Sequence, residues 1–231
     1  MYKILEKTQF SEKVFKFRIE APEMAKHAHA GQFLMVRANE TGERVPFTFA
    51  DWNPEEGWVE FIFMVIGKTT EMLSTYEAGD AIQDVTGPLG QPTEMGEGNW
   101  AVIGGGVGLA IAFPVARQLK ATGHEVHAIM GARTKDLLLL EDQFRSVLDD
   151  EHIHITTDDG SYGEKGVVTA PLERLLQEKK VDHVFCVGPV PMMKFSALTA
   201  EKYDTPIIAS LNPIMVDGTG MCGCCRVEVG G

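Results

Sequence analysis

The second half of the chain alternates strictly between short apolar runs and amphipathic helical segments, and this rhythm limits the folds open to it. The apolar runs are "WAVIGGG", "HEVHAIMGA", "HIHITT", "VDHVFCVG" and "PIIASLN". The segments between them include "FPVARQLKATG" and "KDLLLLEDQFRSVLDD", which are predicted to be helices. Such alternation is typical of a doubly wound sheet of parallel strands. We therefore predict a nucleotide-binding type of α/β domain over residues 97–212.

The first part of the chain follows a two-residue period instead. In "VFKFRIEAP" apolar and charged residues alternate, which indicates a half-buried strand. Six candidate strands occur, at "YKILEKTQ", "VFKFRIEAP", "GQFLMVRA", "PFTFAD", "WVEFIFMVI" and "DAIQDV". They predict a six-stranded antiparallel barrel over residues 1–96, with one helix at "TTEMLSTYEAG" capped by Thr69 or Thr70. The Gly/Pro-rich stretch "GPLGQPTEMGEGN" suits a domain boundary.

The charge balance excludes some partners. With 21 basic and 33 acidic residues the net charge is -12, and such a surface repels phosphate backbones, so no nucleic-acid partner is expected. The first residues hold no apolar stretch of signal-peptide length, and no run is long enough for a membrane helix. We therefore expect a cytoplasmic protein without a membrane partner. In that reducing compartment, clustered thiols more often bind metal or do redox work than form disulfides.

Glycine-rich loops follow several strands of the predicted parallel sheet. Gly104, Gly105, Gly106 and Gly108 come directly after the first strand, where a bare backbone approaches a pyrophosphate closely. Their spacing does not fit G-x-G-x-x-G, and a tightly packed strand-to-helix turn is the alternative explanation. The segments "TTDDGSYGEKGVVT" and "GPVPMM" fall at the same carboxyl edge, where open α/β sheets bind ligands. Three loops at one edge predict a dinucleotide site, with Asp158 or Asp159 near a ribose.

The barrel carries two weaker anion-binding signals. Arg44 is a fixed positive charge suited to a phosphate, ahead of Phe47 and Thr48, which point to opposite faces of one strand. Residues 67–70, "GKTT", precede the predicted helix and form a candidate anion cradle. A surface arginine and a capped helix also occur without any ligand.

Taken in order, these motifs resemble the ferredoxin-reductase superfamily. The resemblance rests on R-x-P-F-T in the barrel, G-K-x-T before a helix, G-G-G-V-G opening the second domain, a G-P-x-P-M loop and a cysteine tail. More narrowly, the chain is similar to the electron-transfer subunits of dihydroorotate dehydrogenase and of sulfide dehydrogenase, and to the small subunits of NADH-dependent ferredoxin:NADP oxidoreductase. The resemblance implies an FAD-dependent NAD(P)H oxidoreductase subunit that delivers electrons to a larger catalytic flavoprotein subunit, with ferredoxin as a further candidate partner.

The resemblance also implies roles for individual residues. Arg44 would lie on the FAD pyrophosphate and Thr48 near the flavin ring, which makes Thr48 the catalytic candidate. The remaining implied FAD contacts are Pro46, Phe47, Gly67, Lys68, Thr69 and Thr70. The implied NAD(P)H contacts are Gly104, Gly105, Gly106, Gly108, Arg133, Asp159, Gly188 and Pro189. Cys186 precedes Gly188 by one residue more than the family's Cys-Gly-Pro pattern allows, so we expect a buried structural thiol there.

The tail "DGTGMCGCCRVEVGG" resembles the start of a [2Fe–2S] site. The family pattern C-x4-C-x2-C reads here Asp217-x4-Cys222-x2-Cys225, with aspartate at the first ligand position. The implied metal ligands are Asp217, Cys222 and Cys225, while Cys224 diverges from its neighbour and is a bystander. The pattern needs a fourth ligand further on, so residues 213–231 are expected to be a truncated iron–sulfur lobe. The cluster is expected in the full-length protein and to be absent or incomplete in this chain.

Several alternatives stay open at this point. A dihydroorotate dehydrogenase partner is the first, and Asp217 is the residue that favours the ferredoxin:NADP oxidoreductase type over it. A stand-alone NAD(P)H:flavin reductase is the second. A zinc-binding module is the third, although C-x-C-C fits the usual separated pairs of zinc ligands poorly. The choice between NADH and NADPH is open as well, since Arg133 suits either a 2′-phosphate or a structural role.

Overall fold

A computed structural model describes residues 1–211 and 214–228 of the chain. It divides into two units, Met1–Thr93 together with the segment that begins at Leu211, and Glu94–Ser210. Each unit contains a hydrophobic core of its own. Of the segment predicted as an iron–sulfur lobe, residue 213 and residues 229–231 lie outside the described part of the chain.

The first unit is built on a seven-stranded antiparallel sheet in the order β6-β1-β2-β5-β4-β3-β7. Its strands are β1 (Tyr2–Ser11), β2 (Val14–Glu20), β3 (Phe33–Arg37), β4 (Arg44–Asn53), β5 (Trp58–Met64), β6 (Ala81–Ile82) and β7 (Asp84–Leu89). Two short helices accompany them, α1 (Pro22–Ala25) and α2 (Lys68–Ser74). The edge strands β6 and β7 are separated by one residue in sequence, so the sheet must curl round to bring its edges together.

In strand β2 the alternation of apolar and charged residues places one set in the core and the other on the outer face, as predicted. Its apolar residues are buried, namely Phe15, Phe17 and Ile19. The Phe17 ring packs edge-on against Phe63, with 5.1 Å between ring centroids. On the opposite face, Lys16 Nζ lies 3.1 Å from a carboxylate oxygen of Glu60 on β5. Aromatic packing inside and ion pairs outside therefore fix the register of this strand.

The barrel has seven strands where the sequence predicts six, because "DAIQDV" divides into two. Gln83 separates β6 from β7, and its backbone N–H donates to the carbonyl of Ala38 at 3.2 Å. β6 pairs with β1, whereas β7 pairs with β3. One continuous β-strand pattern in the sequence thus forms two strands with different partners. The periodicity of the residues does not show where one strand ends and the next begins.

The second unit is a six-stranded parallel sheet in the order β11-β10-β9-β8-β12-β13. Its strands are β8 (Trp100–Gly105), β9 (Val126–Ala132), β10 (Ile153–Thr157), β11 (Glu164–Lys165), β12 (His183–Val187) and β13 (Ile207–Ala209). Its helices are α3 (Leu109–Ala121), α4 (Glu141–Val147), α5 (Thr169–Gln177) and α6 (Val190–Glu201). The doubly wound parallel sheet predicted from the alternation is confirmed.

One predicted helix of this unit is shorter than expected. The segment 135–150 forms a 3₁₀ turn over Lys135–Leu137 and then helix α4. Leu140 adopts a positive φ of 61° between them, and both Leu139 and Leu140 are buried. Consecutive leucines cannot all face the core on one helix, so the backbone leaves the helical conformation to bury this pair.

Within the described residues, no helix combines the length and apolarity needed to cross a membrane.

Candidate functional sites

The glycine turn after β8 is packed tightly at three of its four positions. A β-carbon at Gly104 would come within 2.7 Å of the Leu109 side chain, and one at Gly108 within 2.6 Å of the Val187 carbonyl oxygen. At Gly105 it would meet the Met192 sulfur at 2.5 Å. These three glycines are required by close packing between the turn, α3 and the end of β12.

Gly106 has different surroundings from the other three glycines. It has a positive φ of 55°, and a β-carbon there would meet nothing within 4 Å. Helix α3 begins directly after the turn, and no side chain hydrogen-bonds at its N-cap position. Unsatisfied N–H groups at such an end attract anions. The open face of Gly106, beside the start of a 13-residue helix, is therefore the part of the turn that fits a pyrophosphate.

The loop at Gly188 and Pro189 lies against the glycine turn, as predicted from the shared sheet edge. Val187 pairs with Gly104 in the sheet, and a β-carbon at Gly188 would come within 3.1 Å of the Gly105 nitrogen. The sequence reasoning missed Met192, whose methyl group would be 2.7 Å from the same β-carbon. Met192 packs against both Gly105 and Gly188, and the glycines leave the room that its side chain needs.

Arg133 and Asp159 lie side by side at the ends of β9 and β10. The Asp159 N–H donates to the carbonyl of Arg133 at 3.3 Å, and both side chains are exposed. Hydrogen bonds from Ser161 lower the pKa of Asp159, and the Ser161 N–H lies 2.9 Å from its carboxylate. The Asp159 carboxylate therefore stabilises the turn that leads to Ser161, whether or not it also contacts a ligand.

In the barrel, strand β4 separates the predicted FAD residues onto two faces. Phe47 stacks on Phe61 with 5.0 Å between ring centroids and 9° between ring planes, and so packs against the core. Arg44, Pro46 and Thr48 alternate with it on the other face. Arg44 is half exposed, and its guanidinium lies 3.9 Å from Asp84. Asp84 is bonded more closely by Arg37, so the Arg44 charge is only weakly neutralised.

The segment 67–70 forms the start of α2, but its threonines do not cap the helix as predicted. The N-cap residue is Gly67, and no side-chain hydrogen bond forms there. Instead, the Thr70 hydroxyl accepts hydrogen bonds from the N–H groups of Ile66 and Gly67, each at 3.0 Å. Thr70 is buried and holds the turn, whereas Lys68 is exposed and Thr69 half-buried. The predicted N-cap position was wrong: Thr70 is the third residue of the helix, and its hydroxyl bonds the backbone N–H of the N-cap residue Gly67 instead.

Two contacts that the sequence did not indicate connect this helix to the loop that precedes Arg44. The Asn39 amide lies 3.0 Å from the sulfur of Met72, and the Tyr76 hydroxyl donates to the Ala38 carbonyl at 3.1 Å. The loop ahead of Arg44 is therefore tied to helix α2 and to the residues that follow it.

The tail folds around the carboxylate of Asp217. Thr219 and Cys222 both donate to it, with the Cys222 N–H at 3.1 Å and the Cys222 Sγ at 3.3 Å. These hydrogen bonds, led by that of the Thr219 hydroxyl, lower the pKa of Asp217 to about 2. Gly218, with φ of 75°, lies against Met35 of β3, which a β-carbon would approach within 2.8 Å. The tail is thus seated on the barrel with an ionised carboxylate beside a thiol.

The other cysteines occupy different environments. Cys224 is exposed, and its N–H lies 3.5 Å from the Cys222 sulfur, while Cys225 is half-buried. The Cys222 thiol and its charge raise the pKa of Cys224. Cys186 is fully buried on β12, which confirms the expected structural thiol, and burial raises its pKa to about 11.

Comparisons with known proteins agree with this two-domain arrangement. Residues 1–93 match the oxidoreductase FAD-binding domain family, and residues 102–197 match the oxidoreductase NAD-binding domain family. A Thermotoga maritima homologue of the dihydroorotate dehydrogenase B (NAD(+)) electron transfer subunit is 49% identical over 99% of this chain and 80% of its own length. The electron transfer subunit of dihydroorotate dehydrogenase B from Streptococcus mutans is 31% identical, over 99% of this chain and 88% of its own.

A solved structure gives a similar result. One chain of the NADH-dependent reduced ferredoxin-NADP oxidoreductase structure superimposes with a TM-score of 0.90 and 48% identity. The match covers 98% of this chain and 81% of that one.

Proposed function

This chain belongs to the family of dihydroorotate dehydrogenase B electron-transfer subunits and their homologues, and from that premise we propose that it passes electrons from NAD(P)H to a larger catalytic flavoprotein subunit. It is an FAD-dependent NAD(P)H oxidoreductase, with an FAD-binding domain ahead of an NAD-binding domain. When bound, FAD accepts a hydride from nicotinamide and releases electrons singly. The residues of the chain bind and orient both cofactors.

FAD is proposed to lie against the face of β4 that carries Arg44, Pro46 and Thr48. Arg44 supports this placement because its guanidinium is half exposed and weakly neutralised, as a phosphate-binding charge must be. The first turn of α2, which follows Gly67, supplies further N–H groups, and Lys68 supplies a cation for the same pyrophosphate. In this proposal the Thr48 hydroxyl orients the flavin ring, and Phe47 acts indirectly by anchoring the strand in the core.

NAD(P)H is proposed to bind at the carboxyl edge of the parallel sheet. Gly106 and the first turn of α3 would receive the pyrophosphate. Gly188 and Pro189 form the loop that lies against this glycine turn. Arg133 and Asp159, adjacent at the next two strand ends, are proposed to contact the ribose that carries the adenine, and their proximity supports this. Asp159 favours an unmodified ribose and Arg133 a 2′-phosphate, so the pair sets the preference between NADH and NADPH.

A one-electron outlet is proposed at the tail, with Asp217, Cys222 and Cys225 as ligands of a [2Fe–2S] cluster. The donor chemistry fits, since an ionised carboxylate oxygen and a thiol sulfur lie 3.3 Å apart. Thiolate ligands must be kept reduced before they bind iron, which places the protein in the cytoplasm in this proposal.

The partner is proposed to be the large subunit of a ferredoxin:NADP oxidoreductase. The observation that carries this choice is the carboxylate of Asp217 at the first ligand position, already bonded to Cys222. Sequence identity does not separate the two partners, since it is 48% to the ferredoxin-NADP oxidoreductase chain and 49% to the Thermotoga maritima homologue of the dihydroorotate dehydrogenase subunit. The dihydroorotate dehydrogenase partner is the second candidate, because several relatives carry that name.

Purification of the native complex, followed by assays with each electron donor and acceptor, distinguishes the two. We expect electron transfer between NAD(P)H and ferredoxin, and no reduction of NAD on addition of dihydroorotate. Activity with dihydroorotate alone would overturn the choice of partner while leaving the assignment as an electron-transfer subunit intact.

A further inference from the structure

A group of histidines at the amino edge of the parallel sheet is not used by the proposed electron transfer. Glu125 directly precedes strand β9, of which His127 is the second residue. His152 directly precedes the adjacent strand β10, of which His154 is the second residue. His127 and His154 lie side by side at this edge, with 3.3 Å between His127 Nδ1 and His154 Nε2. This edge is opposite to the one that holds the glycine turn. The group is therefore separate from the predicted nucleotide site.

Three of these side chains converge on one point. Glu125 Oε1 lies 3.4 Å from His127 Nε2 and 3.7 Å from His152 Nε2. One ligand atom from each of the three residues lies within 4.8 Å of the others. Zinc binds imidazole nitrogen and carboxylate oxygen at about 2.0–2.2 Å, which separates neighbouring ligand atoms of a tetrahedron by roughly 3.4 Å. Two of the observed separations are already close to that value.

His127 is buried and incompletely bonded. It is 4% exposed, and its Nε2 forms no hydrogen bond, despite the nearby carboxylate. Its other ring nitrogen, Nδ1, lies 3.3 Å from His154 Nε2. A neutral imidazole has one ring proton, which His127 directs either from Nε2 towards Glu125 or from Nδ1 towards His154. In the second tautomer, Nε2 turns a lone pair towards Glu125. A buried lone pair facing a carboxylate oxygen is unfavourable unless a cation lies between them.

The surroundings complete the pattern of a metal-binding histidine. Such a histidine usually donates its second ring N–H to a neighbouring acceptor, which fixes the tautomer, and His154 is placed to accept it. His152 differs, because its Nδ1 is buried without a hydrogen bond and lies 4.0 Å from a carboxylate oxygen of Glu151. The nearby cation Lys180 is paired most closely with Glu178, at 2.7 Å, and attracts Glu125 more weakly.

We propose that Glu125, His127 and His152 bind a divalent transition-metal ion of the zinc type, with His154 orienting His127. Two imidazoles and one carboxylate match the preferences of Zn²⁺, and the fourth position is left to water. The ion would join the starts of β9 and β10 and stabilise the second unit, since it binds the folded chain alone. This proposal does not depend on the proposed electron transfer.

Zinc titration of the full chain tests the proposal, in a background where the tail thiols do not compete. That background replaces Cys222, Cys224 and Cys225 with serine. We expect it to bind one Zn²⁺ per chain and to unfold at a higher temperature with Zn²⁺ than without. Glu125→Gln and His127→Gln should each weaken binding by more than about 100-fold, and His154→Gln by about 10- to 100-fold.

The variants are chosen so that a loss of Zn²⁺ binding caused by unfolding can be told from one caused by removal of a ligand. Glu125 is exposed, so Glu125→Gln should leave the metal-free melting temperature unchanged, even if replacing the buried His127 lowers it. His27→Gln removes an exposed histidine of the first unit and should bind Zn²⁺ as the background does. Absence of Zn²⁺ binding in the background would overturn the proposal. Binding that is unchanged in Glu125→Gln, or equally lost in His27→Gln, would overturn it as well.

Discussion

The four cysteines of the chain have surroundings that predict different reactivity. Cys186 is fully buried between neighbouring strands, whereas Cys222 and Cys224 are exposed and Cys225 is half-buried. Only a thiolate attacks an alkylating reagent, so both pKa and access decide the rate. The tail thiols are therefore available for chemistry, and Cys186 is part of the core.

Alkylation kinetics test this difference. Burial raises the pKa of Cys186 to about 11, so it remains a protonated thiol at pH 8 and becomes reactive only as the pH approaches that value. Under reducing conditions at pH 8, we expect Cys222, Cys224 and Cys225 to be labelled and Cys186 to react only after unfolding. Mass spectrometry assigns the sites, with Cys186→Ala as the control. Equal labelling rates for all four thiols would contradict the account.

The neighbouring residues Cys224 and Cys225 provide a matched pair for the proposed cluster site. After reconstitution with iron and sulfide, Cys225→Ser should lower the bound iron, because it removes a proposed ligand. Cys224→Ser should retain the iron content of the unmodified protein. Iron and sulfide analysis measures both. A larger loss in Cys224→Ser would reverse the assignment of ligand and bystander.

Arg44 is proposed to bind the FAD pyrophosphate. Arg44→Ala should weaken FAD binding by about 10- to 100-fold, since a hydrogen bond to a charged group contributes roughly 1.5–3 kcal/mol. Lys26→Ala removes an exposed cation of the same unit that pairs with Glu23, and it should leave FAD affinity unchanged. Flavin fluorescence titration measures both. Equal affinities for the two variants would remove Arg44 from the site.

The elements of the chain differ in how far the sequence predicts them. The strict alternation of strand and helix determined the parallel sheet, because both periods are visible in the residues themselves. The division of "DAIQDV" into β6 and β7 was not predictable, since it depends on which distant strand each half pairs with. The convergence of Glu125, His127 and His152 has the same cause, because strand register brings them together.

The glycine turn combines packing and binding, and substitutions should separate the two. Gly108→Ala places a β-carbon 2.6 Å from a backbone oxygen, so we expect a loss of about 2–3 kcal/mol in unfolding free energy. Gly106→Ala meets open space and should cost about 1 kcal/mol through its positive φ, yet weaken NADH binding more than its stability cost implies. Thermal unfolding and NADH titration measure the pair. Stability losses in the opposite order would contradict the packing described for this turn.

At the scale of the whole molecule, the chain combines an FAD-binding domain, an NAD-binding domain and a thiol-rich tail in one order. That order was predictable from the motifs, since each lies in a short contiguous stretch. The packing of individual side chains was not, because the stacking of Phe47 on Phe61 and the bond from the Gly67 N–H to Thr70 depend on the fold. The motifs therefore predicted the segments, and the structure shows which of their side chains are exposed and which are packed or hydrogen-bonded within the protein.

The most direct test of the central claim is the absorbance of the FAD-loaded protein on anaerobic mixing with NADH or NADPH. We expect the protein to bind FAD and its flavin bands to bleach on addition of at least one of the two nucleotides. A protein that binds no flavin, or whose flavin bands are unchanged by both nucleotides, would contradict it.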